Sequence, residues 1–187
     1  MAVGSAVSLS LSFKNSHRVD MTQQTLIRVA RPDDLAAVDA LLGRSYPRLL
    51  KADYAPSVMV TIVPVIARAR PELLASGRYF LAEDIDGRVV GAGGYSLPAY
   101  GPQGSATMAN IRHLATDPDA LRRGVGRRLM QAIFTAAAAE GIHRFDCLST
   151  LTAVPFYRAV GFEQIGPVQV PILAGMTFPA MRMWRGQ

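Results

Sequence analysis

Cysteine is nearly absent from this chain: Cys147 stands alone among 187 residues. One thiol excludes an internal disulfide framework and a cysteine-rich zinc site. Lysine is almost as scarce, with only Lys14 and Lys51, so the basic side is nearly all arginine. Long apolar runs are missing too. The longest, around residues 57–67, is too short to cross a bilayer as a helix and contains Pro64. Acidic residues number 14 against 20 basic ones, which leaves a formal charge of +6. An excess of that sign points to nucleic acid, a membrane surface or a small anionic ligand.

Half of the residues are hydrophobic, enough for a core, and the length suits one domain. Residues 1–20 are rich in serine and small residues and show no helical period. Their start lacks the basic side chain of a secretory signal, and Met21 begins a plausible chain of its own. We expect residues 1–22 to be a disordered leader or a start-site extension, with a targeting peptide as the alternative. Residues 23–187 then form a single domain.

The pattern predicts a short strand over 25–30. A helix follows, opened by Pro32, Asp33 and Asp34, with Leu35, Val38, Leu41 and Leu42 at helical spacing. Residues 57–69 are apolar nearly all round and predict one buried or pocket-lining helix kinked at Pro64. Strands are expected over 79–84 and 88–95, joined by Asp86-Gly87. Gly91, Gly93 and Gly94 in the second of these imply a bulge or a close approach. A loop with Pro98, Gly101, Pro102 and Gly104 leads to a strand over 108–116. A helix over 124–140 stops at Gly141, a strand covers 145–148, and a short helix over 153–160 closes at Gly161. Residues 163–184 read as two further strands. The order is β-α-α-β-β-β-α-β-α-β-β, a mixed α/β domain.

The informative stretch is Leu121-Arg122-Arg123-Gly124-Val125-Gly126-Arg127-Arg128. A strand runs into a glycine-bearing loop, and the loop opens a helix. Such a terminus exposes unpaired N–H groups and a partial positive charge, and glycines let an anion approach them. Four arginines are unfavourable at an empty helix start, where cations cost up to about 1 kcal/mol each, whereas a bound phosphate reverses that penalty. No Gly-Lys-Ser/Thr follows, so the Walker pattern is absent. The dinucleotide fingerprint fails at Leu129, where its third glycine should stand. A pyrophosphate held by a short loop remains.

At these residues the chain resembles the GNAT superfamily of acyl-CoA N-acyltransferases, whose loop reads Gln/Arg-x-x-Gly-x-Gly/Ala. Leu121 departs at the first position. A second segment, Ala153-Val-Pro-Phe156-Tyr157-Arg-Ala-Val-Gly161-Phe162, is similar to the family's Ala-x-x-Phe-Tyr-x-x-x-Gly-Phe. The resemblance covers residues 26–185. It implies a twisted, mostly antiparallel sheet with a central parallel strand pair splayed around the CoA arm and helices on both faces. It implies acetyl-CoA as co-substrate, with no metal, and a cytoplasmic N-acetyltransferase. The acyl group would move to a primary amine by direct attack in a ternary complex.

On this resemblance the CoA contacts are Leu114, Ala115, Thr116, Arg122, Arg123, Gly124, Val125, Gly126, Arg127 and Thr150. The Leu114 N–H would stabilise the oxyanion, and Tyr157 would be the general acid, with a packed aromatic as its bland alternative. Ser149 or Thr150 could instead cap a helix. The general base is open: Asn110 and Arg112 occupy the family's usual positions, and His113, Glu83, Asp84 or water are candidates. Regular alternation turns His113 away from Leu114, and a bulge would re-aim it. Cys147 reads as a small buried hydrophobe. His17, His113 and His143 are dispersed, so neither a Cys-His nucleophile nor a metal site gains support.

The acceptor surface is expected from 46–65 and 167–178, with Tyr46, Tyr54, Met59, Pro171 and Phe178. It suits a small or partly apolar amine, and a core or homodimer face is the equal alternative. Two rivals to the enzyme remain. One is a non-catalytic acyl-CoA-binding sensor of the same fold. The other is a nucleic-acid binder, which would spread its arginines over a wide face. No nucleic-acid or membrane partner is expected.

Overall fold

The computed structural model describes residues 25–98, 107–173 and 175–186. The expected leader over 1–22, and Gly101, Pro102 and Gly104 of the expected loop, lie outside these residues. Strand β1 (Leu26–Val29) passes through a 3-10 turn (Pro32–Asp34) into α1 (Leu35–Leu50). Arg28 fastens this corner: its guanidinium grips Asp34 in a two-pronged contact at 2.7 Å and reaches Glu83 at 2.6 Å.

The single kinked helix expected over 57–69 is instead two short ones, α2 (Pro56–Thr61) and α3 (Val63–Ile66), with a further turn α4 (Pro71–Leu74). Pro64 cannot continue the hydrogen-bond ladder, so helix restarts at Val63 with the proline in its first turn. Nor is the segment buried all round. Ile62, Val63 and Ala67 are buried, while Val60 is 75% exposed.

The remaining elements match the sequence expectation within a residue or two at each end. They are β2 (Tyr79–Glu83), β3 (Val89–Ser96), β4 (Met108–Thr116), α5 (Val125–Ala139), β5 (Arg144–Ser149), α6 (Val154–Ala159), β6 (Glu163–Leu173) and β7 (Met176–Arg185). The β2–β3 hairpin turns at Gly87 (φ 76°), and Gly141 and Gly161 end α5 and α6 with φ of 76° and 91°. Among the described residues seven strands lie in the order β1-β2-β3-β4-β5-β7-β6, and there only β4 and β5 run parallel.

Alternation in β2 assigns the two faces. Phe80 and Ala82 pack with Val125, Leu129 and Ile133 of α5. Tyr79 and Leu81 pack with Val38, Leu41 and Leu42 of α1. The domain is therefore a mostly antiparallel sheet with helices on both faces. Among the described residues, no helix is long and apolar enough to cross a membrane.

Candidate active site

Strands β4 and β5 are hydrogen-bonded for only three residue pairs: Met108 with Arg144, Ala109 with Phe145 and Asn110 with Asp146. Beyond them β4 continues to Thr116 beside β3, while β5 continues to Ser149 beside β7. The centre of the sheet therefore opens as a V. The β5-facing edge of residues 111–116, including Leu114, Ala115 and Thr116, has no strand partner.

A bulge reshapes that free edge. Gly94 pairs with Arg112 and Ala92 with Ala115, so β4 holds one residue more than β3 between these rungs. His113 takes up the excess with φ 44°. The consequence is visible in packing. Ala109 and Ile111 face the α5 side, but Ala115, at a spacing that regular alternation would keep there, faces α1. Gly93 makes room, because a Cβ there would collide with Leu114. Leu114 ends up on the α5 side with Ile111.

The bulge does not make His113 a strong base. Its Nδ1 is buried without a partner, and burial, with Arg70 and Arg112 adding repulsion, holds the imidazole down to about 4. Glu83 sits at the far end of β2, opposite Val89 and bound to Arg28. Asp84 accepts the Asp86 and Arg88 N–H groups of the hairpin turn. Arg112 donates to the Ser96 hydroxyl at 2.8 Å.

Between β4 and α5, Asp117 is 1% exposed and organises the loop. Its Oδ1 accepts the Asp119 N–H at 3.0 Å, and its Oδ2 receives Arg44 at 3.0 Å and Arg88 at 2.7 Å. Burial alone would raise this carboxyl, but the Asp119 N–H, Arg44 and Arg88 outweigh it and hold the group below its ordinary value. Arg48, one helical turn after Arg44, reaches Asp119 at 3.2 Å. Helix α1 is thus clamped to this loop. The sequence expectation assigns Asp117 no role. The Asp117-Pro118-Asp119 turn chemistry was the available signal, while the partners Arg44 and Arg88 lie far away in sequence.

The loop then rises through Arg122 (φ 62°) and Gly124 (φ 76°) into α5. No side chain caps this helix, and its first turn carries no acid. Arg122, Arg123 and Arg127 are exposed and, among the described residues, lack an ion pair. Val125 is buried and anchors the helix against Gly91, where a Cβ would stand 2.6 Å from Val125 Cγ1. Gly126 faces the ring of Phe156 on α6, which a Cβ would approach to 3.0 Å. The two motifs found in the sequence therefore meet in space.

Three neutral groups converge near the open half of the V. Tyr157 on α6 is buried, and its hydroxyl interacts with the thiol of Cys147 on β5. Burial first, and then Cys147, raises the phenol well above 10. Burial likewise pushes the Cys147 thiol up to about 12. Tyr46 of α1 acts electrostatically on Tyr157, and burial raises its own phenol. Tyr157 packs in the α5-side cluster and Tyr46 against the α1-side cluster, so the two reach this region from opposite faces.

Thr150 is half-buried at the end of β5, and its side chain makes no cap bond. Ser149 donates to the Thr150 carbonyl instead. Tyr54 and Phe178, expected on an acceptor surface, are core residues. Their rings stack at 4.7 Å, and the Tyr54 hydroxyl donates to the Pro179 carbonyl and accepts the Leu151 N–H. Tyr46 and Met59 remain half-buried. Among the described residues, no group of three His, Cys, Asp or Glu could hold a metal ion. A wide-open apolar groove lies elsewhere, between Ile27, Phe80 and the outer side of α5, away from the V and its bulge.

Known proteins share this architecture. A GCN5-related N-acetyltransferase from Rhodopseudomonas palustris superposes with a TM-score of 0.69 at 21% identity, covering 88% of this chain and 96% of its own. The PaiA N-acetyltransferase from Thermoplasma acidophilum, solved in complex with coenzyme A, gives 0.66 at 14% identity over 87% of this chain and 99% of its own. The ribosomal-protein-S18-alanine N-acetyltransferase from Escherichia coli gives 0.59 at 16% identity, covering 87% and 93%. At these identities the likeness shows a shared fold. An uncharacterized protein of Mycobacterium leprae is 39% identical over 56 residues, 30% of this chain but only 16% of that protein. The acetyltransferase (GNAT) domain family matches residues 51–184, the stretch that holds the open V, the bulge, the arginine loop and Tyr157, and the chain belongs to that family.

Proposed function

We propose that this protein is an acetyl-CoA-dependent N-acetyltransferase acting on a primary amine of a small, partly apolar acceptor. The observation that carries the reading is the junction of the open β4–β5 edge with an uncapped helix start beside Arg122, Arg123 and Arg127, which make no ion pair among the described residues. The N–H groups of Val125, Gly126 and Arg127, with Arg122, Arg123 and Arg127 side chains, suit the pyrophosphate of CoA. The free edge of Leu114, Ala115 and Thr116 suits the amide-bearing arm, and Thr150 stands just past the end of β5.

Acetyl-CoA is here a substrate that supplies the activated acyl group. The Leu114 N–H stabilises the negative charge that develops on the acyl oxygen. The fold holds the two substrates together, which supplies proximity and orientation. The Tyr157 phenol, kept protonated by burial, donates to the sulfur as the C–S bond breaks. The amine attacks as its free base and sheds its proton to water, since His113 is too weak a base to hold it. The half-buried Tyr46 and Met59, with Arg70 and Arg112 acting on His113, favour an acceptor that is not polycationic.

A second reading, an acyl-CoA sensor without turnover, draws on the neutral character of Tyr46, Cys147 and Tyr157. Asp146, the carboxylate that acts on Cys147, is engaged by Arg182 at 2.8 Å. Release of free CoA from acetyl-CoA, measured over a panel of small amines, separates the two. Turnover with an amine supports the enzyme, and Tyr157→Phe should then lower kcat about tenfold or more while acetyl-CoA affinity holds. Thermal protection by CoA with no turnover on any amine, thiol or alcohol would leave the sensor.

A further inference from the structure

We propose that Tyr79 is a positioning residue for this reaction: its hydroxyl holds the peptide that presents the Leu114 N–H to the acyl carbonyl. The inference rests on the reading of Leu114 as the oxyanion donor. Tyr79 lies on β2, two strands away from β4, and is 1% exposed. Its hydroxyl donates to the His113 carbonyl at 3.0 Å.

That carbonyl and the Leu114 N–H belong to one peptide. In a trans peptide they point in opposite directions, so a bond that fixes the carbonyl also fixes the N–H. A hydrogen bond to the carbonyl oxygen also polarises the peptide and strengthens the N–H as a donor. The bulge creates the need. His113 is an extra residue with φ 44°, outside the regular ladder with β3, and a buried carbonyl left without a partner is costly. Backbone held in this sparsely populated conformation persists only when its surroundings enforce it.

The glycines of β3 serve the same contact. Tyr79 pairs across the strand with Gly94, and a Cβ on Gly94 would stand 2.7 Å from both Tyr79 Cα and Cδ2. Gly93 opposes the bulge itself and leaves space for Leu114. Bare Cα atoms on β3 thus let a β2 side chain cross to β4. Burial keeps the Tyr79 phenol protonated and hence a donor. The strand placement of Tyr79, Gly93 and Gly94 is legible in the sequence, but the crossing is not, because it depends on the register of three strands.

The test is the infrared stretch of carbonyl-labelled acetyl-CoA bound to the full chain without acceptor. The wild-type protein should lower that frequency, because a strong donor lengthens the C=O bond. Tyr79→Phe should lose much of the lowering while acetyl-CoA affinity stays unchanged, a split that loss of packing alone would not produce. Replacing Tyr79 by 3-fluorotyrosine keeps the ring and sharpens the donor, and should lower the frequency further. If Tyr79→Phe does not fold, the fluorotyrosine protein decides. A wild-type frequency equal to that in water overturns the Leu114 reading. A lowered wild-type frequency that neither replacement alters overturns the role of Tyr79.

Discussion

Arg44 and Arg48 on α1, and Arg122, Arg123 and Arg127 around the start of α5, flank one turn of chain and are treated oppositely. The first two are matched by Asp117 and Asp119 and tie a helix to a loop. The other three stand in solvent beside unpaired N–H groups, with no acid in the first turn of α5. Elsewhere Arg28, Arg68, Arg70, Arg78, Arg88 and Arg182 also meet carboxylates. Eight arginines thus meet carboxylates, whereas Arg122, Arg123 and Arg127 form a cluster at a helix start that, among the described residues, does not. Part of the +6 excess thus has a local setting at the start of α5.

The largest test of this contrast removes the matched side. Asp117→Ala should cost about 2 kcal/mol in chemical denaturation and lower Tm by roughly 5 °C. That is less than for a fully buried pair, because Arg44 and Arg88 are 37% and 51% exposed and can rehydrate. The Asp117 carboxyl is depressed in the folded protein, so its contribution is present above the ordinary carboxylate value of 3.8 and lost as pH falls below it. A smaller effect is expected at the seat itself. Gly126→Leu should push on Phe156 and block the helix start, weakening CoA binding about tenfold in calorimetry, equivalent to ~1.4 kcal/mol. Smaller again, the triple change of Arg122, Arg123 and Arg127 to Gln should weaken CoA about fivefold and steepen none of the unfolding curve. Its salt dependence of CoA binding should shrink in parallel. Arg48→Gln, which breaks only an exposed pair, should alter stability by less than about 1 kcal/mol. If the triple variant loses stability like Asp117→Ala, the arginines are structural and the contrast collapses.

Much of the fold was legible because its signals are local. Apolar spacing in α1 and α5, the Asp86-Gly87 turn and the glycines after α5 and α6 each report on neighbours within a few residues. The run 57–69 misled for the same reason. Its composition implies burial all round, while the helix restart at Pro64 and packing beside α1 turn Ile62 and Val63 inward and leave Val60 outward. At the site, the arginine loop and the Phe156-Tyr157 segment stood out as motifs. Their meeting at Gly126 and Phe156 did not, nor did the use of Tyr54 as a tie between Pro179 and Leu151. Tyr54 is an aromatic with a polar end, and only its partners distinguish an anchor from a pocket wall.

The amino-acid sequence by itself determined the order of the elements outside residues 56–74, the glycine-arginine entry to α5 and the family, since each rests on residue type at short spacing. Only the tertiary structure decided that β4 and β5 part after Asn110, that His113 is the extra residue of a bulge, and that Asp117 gathers Arg44 and Arg88. Those features arise from register between strands and from contacts across long stretches of chain, where hydrogen-bond pairing and burial, rather than local propensity, select the outcome.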